Sequence, residues 1–214
     1  MAGRTLFTLS CICITCGFLC MFVAFASPYW IKSWTRVHSP MANVGLWHVC
    51  LSGYIKPRDP TMHAYVGCWW IHSTVFDDAS YNIMPHWFRA VQAFAIFTLL
   101  CDLGSLLLIL LYLSPYTTET VYKDRKMKLF ILNCVLNGIA AALVFMDSLI
   151  FAQMSIDPSW MPRPWMNYLS FSYGLNVLSG FFSAFACMFL FLMIDVIKTY
   201  PEKEPSKDNK LGFH

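Results

Sequence analysis

Residues 45–50 read GLWHVC, and a second cysteine, Cys68, follows after 17 intervening residues. The stretch is polar and dotted with tryptophan, and it lies between two long apolar runs, 6–26 and 90–113, with two more at 129–152 and 168–194. Each run has the roughly 20 residues that a helix needs to cross the hydrocarbon of a bilayer. With 57% hydrophobic, 17% aromatic and only 13% charged residues, the chain is too apolar for a domain bathed in water. The spans read as helices. Backbone groups in hydrocarbon need internal partners, and the runs lack the dyad alternation of barrel strands.

The first run ends in "AFAS" at 24–27, which resembles a signal-peptidase site. Its apolar stretch exceeds the roughly 7–15 residues of a signal core, and one arginine, Arg4, precedes it, so it is read as a retained span. Basic residues orient the chain. Lys123, Arg125, Lys126 and Lys128 crowd the connection at 114–128, and Lys198, Lys203, Lys207 and Lys210 follow the last span. The positive-inside rule places both segments and both termini in the cytoplasm. Segments 27–89 and 153–167 then become outer loops. The tail at 195–214 mixes charges with two prolines and reads as disordered. One four-span unit is expected, without repeats or linkers.

Within the first loop, "SPYWIKSWTRV", "NVGLWHVCL" and "HAYVGCWWI" combine β-branched and aromatic residues, and "HSPMA" and "GYIKPRDPTM" separate them with turn formers. A small antiparallel sheet is expected, resting on the helix tops because so short a segment cannot build a large core. The cysteines sort by position. Cys11, Cys13, Cys16, Cys20, Cys101, Cys134 and Cys187 fall in spans, as small buried apolar side chains. Only Cys50 and Cys68 lie outside, where an oxidising exterior favours a disulfide worth roughly 3 kcal/mol. The competing use, a metal site with His48 and His63, lacks the close C-x-x-C pairing typical of zinc.

Trp30 after the first span, Gly45-Leu46-Trp47, then Cys50 and Cys68, and Arg89 at the start of the second span together resemble the W…GLW…C…C signature of the claudin family and its wider superfamily of peripheral myelin and epithelial membrane proteins. The resemblance covers nearly the whole chain. It implies an all-α transmembrane four-helix bundle, left-handed, with a small extracellular antiparallel β-sheet of four strands from the first loop and one from the second. It also implies a Cys50–Cys68 disulfide, a plasma-membrane location at cell junctions, and self-association in cis and in trans, or with other junction proteins, into a paracellular barrier. Trp30 and Trp47 are expected at headgroup level.

The sequence departs from the pattern in places. The gap between the cysteines is long, the C-terminal "KLGFH" lacks the hydrophobic end by which many claudins bind PDZ domains, and no N-x-[ST] sequon lies in the outer loops. The first and second features lean towards a divergent or invertebrate member with a septate-type barrier. Two alternatives stand beside the barrier: an accessory subunit of an ion channel or receptor, and a myelin or epithelial-membrane-protein-like organiser.

Lys56, Arg58, Asp59, Asp77 and Asp78 are candidates to line a pore or contact surface, although the residues 27–88 carry four basic against three acidic groups and favour neither ion sign. Trp160 and Trp165 in "IDPSWMPRPWM" are candidate aromatic anchors or interfacial residues. Asp102 and Asp147 lie within spans, where an acid costs about 2.5–3.5 kcal/mol on insertion; partners such as Asn133, Asn137 or Asn176 are expected. No catalytic motif occurs, so no enzyme, cofactor or metal is expected, and no basic face points to nucleic acid. Membrane lipids are the constant partner.

Overall fold

The computed structural model describes residues 2–34, 39–76, 80–113 and 122–199. Asp77, Asp78 and the C-terminal "KLGFH" lie outside them. Four helices carry the apolar runs: α1 (Ala2–Ala26), α3 (His86–Leu113), α4 (Tyr122–Ser155) and α5 (Phe171–Thr199), with α2 a single turn at Ser80–Ile83. All four long ones contain windows apolar enough to cross a membrane. They close a ring in which α1 packs on α5, α5 on α4, α4 on α3, and α3 more lightly on α1. At 1.5 Å per residue, the 34 residues of α4 span about 51 Å, well beyond the roughly 30 Å of hydrocarbon. Its first turns carry Lys123, Arg125, Lys126 and Lys128, which hydropathy assigns to the preceding connection.

At one end sits a five-stranded antiparallel sheet in the order β4-β3-β2-β1-β5, built from β1 (Ile31–Ser33), β2 (Met41–Val44), β3 (His48–Ile55), β4 (Ala64–Trp70) and β5 (Asn167–Leu169). Two boundaries differ from the sequence expectation. Met41 and Ala42, and Gly53 to Ile55, belong to strands rather than to turns, because a register shift after Met41 and another at Gly53 absorb the irregularity. Gly53 adopts φ +83° there, open to glycine without strain. Tyr168 and Leu169, which hydropathy reads as the start of the last span, instead join Asn167 in a strand that pairs with 31–33 of β1.

Two apolar cores are separated by a polar belt. One joins sheet to helix tops through Met21, Trp30, Leu46, Val49, Phe88 and Phe151; the other closes the far end around Ile14, Ile109, Phe130 and Leu190. Between them Asn137 Nδ2–H donates to Ser105 Oγ at 2.7 Å, and Ser105 Oγ–H donates to Asn133 Oδ1, linking α3 to α4. Asn176 Nδ2–H of α5 donates to Asp147 Oδ1 of α4 at 2.9 Å. Asp102 accepts from Ser183 Oγ–H at 3.4 Å, so its partner is a serine rather than an asparagine. Low dielectric makes such links between helices valuable, because an unmade one is costly in hydrocarbon.

Small residues let α4 and α5 approach. A Cβ on Gly180 would lie 2.7 Å from Val144 Cγ1, and valine's branched side chain has few rotamers to escape into. Gly180→Ala is expected to destabilise the protein by about 1–3 kcal/mol, and Val144→Ala to restore much of that loss when combined with it. Thermal melting in detergent of both single variants and the double checks it. Strict additivity would mean that the two residues do not share the contact.

Candidate functional site

The sheet and its seat on the bundle lie outside the four apolar spans. Trp30 is the seat. Its side chain is 0% exposed, its indole N–H donates to the Ala24 carbonyl at 2.8 Å in the last turn of α1, and its ring meets Phe151 of α4 edge-on at 4.8 Å. It is therefore buried protein core, closed in by the helix tops and joining them to the sheet. Buried aromatic side chains with a polar handle favour such positions, where ring and N–H are both satisfied.

Gly45, Leu46 and Trp47 make the next contacts. The Leu46 carbonyl accepts Gln92 Nε2–H of α3 at 2.6 Å, and the Trp47 carbonyl accepts the Ile71 N–H at 2.8 Å. Trp47 is partly exposed, 5.1 Å from Phe25 of α1 and stacked on Trp70 of β4 at 5.9 Å. Its buried indole N–H has no acceptor among the described residues. Arg89, the last member of the motif, is exposed at the start of α3.

Cys50 and Cys68 face each other across β3 and β4 and are joined, S–S 2.08 Å. Both sulfurs are thereby used, which excludes their service as thiolate ligands with His48 and His63; those imidazoles pack edge-on against Trp70 and Tyr65 instead. Among the described residues, no three His, Cys, Asp or Glu side chains come together as a metal site. The long gap between the cysteines is an extended hairpin, β3 and β4 of 8 and 7 residues, closed by the turn at 56–63. Replacing either cysteine by serine is expected to cost roughly 3 kcal/mol, measured as a fall in melting temperature that reduction of the native protein reproduces.

Lys56, Arg58 and Asp59 lie together at that hairpin tip. Asp59 Oδ1 accepts both the backbone N–H and the hydroxyl of Thr61, at 2.9 and 2.7 Å, and Oδ2 accepts the His63 N–H at 3.2 Å. Those Thr61 bonds hold the Asp59 carboxyl below its ordinary value. A depressed folded-state value stabilises the turn above the unfolded-state pKa, with the contribution lost as pH falls through the folded-state value. Protection of the His63 amide from hydrogen exchange, taken relative to the intrinsic rate at each pH, is therefore expected to fall on acidification in the wild type. In Asp59→Asn that protection should be lower already at neutral pH and show little further acid response.

The second loop divides its two tryptophans. Trp160 is 6% exposed, donates its indole N–H to the Ile83 carbonyl at 3.2 Å, and packs edge-on against Trp87 at 4.8 Å. It anchors the loop from within and is not a contact surface, correcting the expectation. Trp165 is 72% exposed, in a 3-10 turn at Pro164–Met166 that follows Arg163 in the left-handed region. Sequence reasoning also passed over Val66, Trp69 and Trp70, exposed on the unpaired edge strand β4, and Trp34, exposed at β1 and packed on Tyr168 of β5 at 4.6 Å. The aromatic density of "HAYVGCWWI" was the available signal.

Four bilayer-length helices crowned by a disulfide-braced sheet define a multi-pass membrane protein with a folded cap. The family model described as PMP-22/EMP/MP20/Claudin tight junction matches residues 15–193. The chain belongs to that family. No curated protein matches it.

Proposed function

We propose that the protein is a junctional membrane protein whose cap faces the cell exterior, with both termini in the cytoplasm, and whose copies associate side by side and across the intercellular gap to form or regulate a paracellular barrier. The observation that carries this reading is the cap itself. A sheet held rigid by Cys50–Cys68 and seated by Trp30 presents exposed apolar side chains at both edges: Val66, Trp69 and Trp70 on β4, Trp34 and Trp165 on the β1–β5 side. Water-facing aromatic groups on a rigid scaffold are the usual anchors of protein contacts. Among the described residues β4 pairs with β3 on one side only, and such an edge strand adds a further means of association. The basic residues at the start of α4 and after α5 support the proposed orientation, and family membership supports the junctional setting.

Lys56 and Arg58, with Asp59 tied into its turn, are proposed to face the gap between cells, where their charge influences passing ions. Expression in epithelial cells that lack junctional strands tests the reading. Enrichment at cell contacts together with changed transepithelial resistance supports it. Even distribution over the plasma membrane, unchanged resistance and co-purification with a channel would favour the accessory-subunit alternative instead. Tags at both termini that are protected in intact cells support the orientation.

A further inference from the structure

Cys134 of α4 and Cys187 of α5 lie with their sulfurs 3.3 Å apart, and the Cys134 thiol also reaches the Cys187 carbonyl at 3.5 Å. Gly138, one turn further along α4, faces the same contact: a Cβ at that position would sit 3.6 Å from the Cys187 sulfur. Both cysteines are partly exposed at the helix surface. Each is 12 residues from the end of its helix opposite the cap, Tyr122 in α4 and Thr199 in α5, about 18 Å along the axis. They are thus placed within the membrane and far from the Cys50–Cys68 bridge of the cap.

We propose that Cys134 and Cys187 are an intramembrane modification site, a thiol pair that a lipid hydroperoxide oxidises to a second disulfide. The chemistry balances in two steps. Cys134 attacks the terminal oxygen of the hydroperoxide as its thiolate and gives the sulfenic acid, while the thiol proton passes to the departing alkoxide, which leaves as the lipid alcohol. The thiol of Cys187 then displaces the hydroxyl of the sulfenic acid, forming the S–S bond and releasing water. Two thiols lose two hydrogen atoms; one peroxide bond is reduced. The second step needs a neighbouring thiol within reach, which the 3.3 Å separation supplies. Lipid hydroperoxides dissolve in the bilayer, whereas the charged thiol reductants of the cell remain in water. Closure ties α4 to α5, which are otherwise joined near the cap by Asn176 and Asp147, at a second level.

The test treats membranes containing the full chain with cumene hydroperoxide, then labels remaining thiols with a membrane-permeant maleimide and maps chymotryptic peptides. A linked pair of peptides carrying residues 134 and 187, with labelling lost at both positions together, is the expected result. Cys134→Ser should abolish the linked pair and leave Cys187 reactive. If that variant does not reach the membrane, the peptide map of the native protein decides. Persistent labelling at both positions under conditions that consume Cys101 overturns the proposal, as does linkage of either cysteine to a different partner.

Discussion

Trp30→Ala is expected to lower stability by about 3–5 kcal/mol, the range for removing a large buried aromatic side chain, and to detach the cap from the bundle. Three losses act together. The cavity opens at the junction of α1, α4, α5 and the sheet, where the ring meets Phe151 and Tyr173. The Ala24 carbonyl loses its donor. The chain between α1 and β1 also loses the side chain that fixes its direction, although the Trp30 backbone still donates to the Val44 carbonyl and accepts from the Ser170 N–H. Trp30→Phe separates these contributions: it keeps most of the ring and loses the N–H bond, for a cost of about 1 kcal/mol. Melting in detergent, followed by tryptophan fluorescence and by the accessibility of the Cys50–Cys68 disulfide to reductant, reads both variants. An alanine variant that melts like the native protein would show that the cap is seated elsewhere.

The membrane part of the fold was legible because hydropathy and length are local properties. Run 6–26 meets its helix at Ala26, beside the sheet, and run 90–113 meets its own at Leu113, away from it, while each helix extends four residues further at its other end. What was not legible depends on contacts between distant segments. Asn167, Tyr168 and Leu169 are extended only because β1 offers backbone partners. Trp160 and Trp165 look alike in sequence and differ wholly in place, since one finds Ile83 and Trp87 and the other stays exposed. Trp30 also shows how far local rules reach: its place just past a span points to the membrane boundary, and only packing reveals that α1, α4, α5 and the sheet close over it. The partners of the intramembrane acids were half legible. Asn176 serves Asp147, but Asn133 and Asn137 are committed to Ser105, because helix phase places them on the face towards α3.

Gly45→Ala is expected to be at least as damaging as many far larger changes, at about 3 kcal/mol, the upper part of the range for overpacking. The reason is what the new methyl would meet. A Cβ on Gly45 would overlap the Cα of Pro28, lie 2.8 Å from the Ser27 carbonyl oxygen and 3.0 Å from the Pro28 carbonyl carbon. These are backbone atoms, so no rotamer change relieves the clash, and Ser27 is itself fixed by its N–H bond to the Val23 carbonyl of α1. The strand start must therefore move away from the helix end. Doing so pulls on the Leu46 carbonyl bonded to Gln92 and on the Trp47 carbonyl bonded to Ile71, the two links that tie the β2–β3 turn to α3 and to the end of β4. Gly174→Ala is the matched control. Nothing lies within 4 Å of its added methyl, and alanine in a helix is favoured over glycine by roughly 0.8–1 kcal/mol, so that variant should melt at or above the native temperature. Equal melting of the two alanine variants would mean that the Gly45 backbone does not sit against Pro28, and that the glycine of the GLW motif is required for something other than close approach.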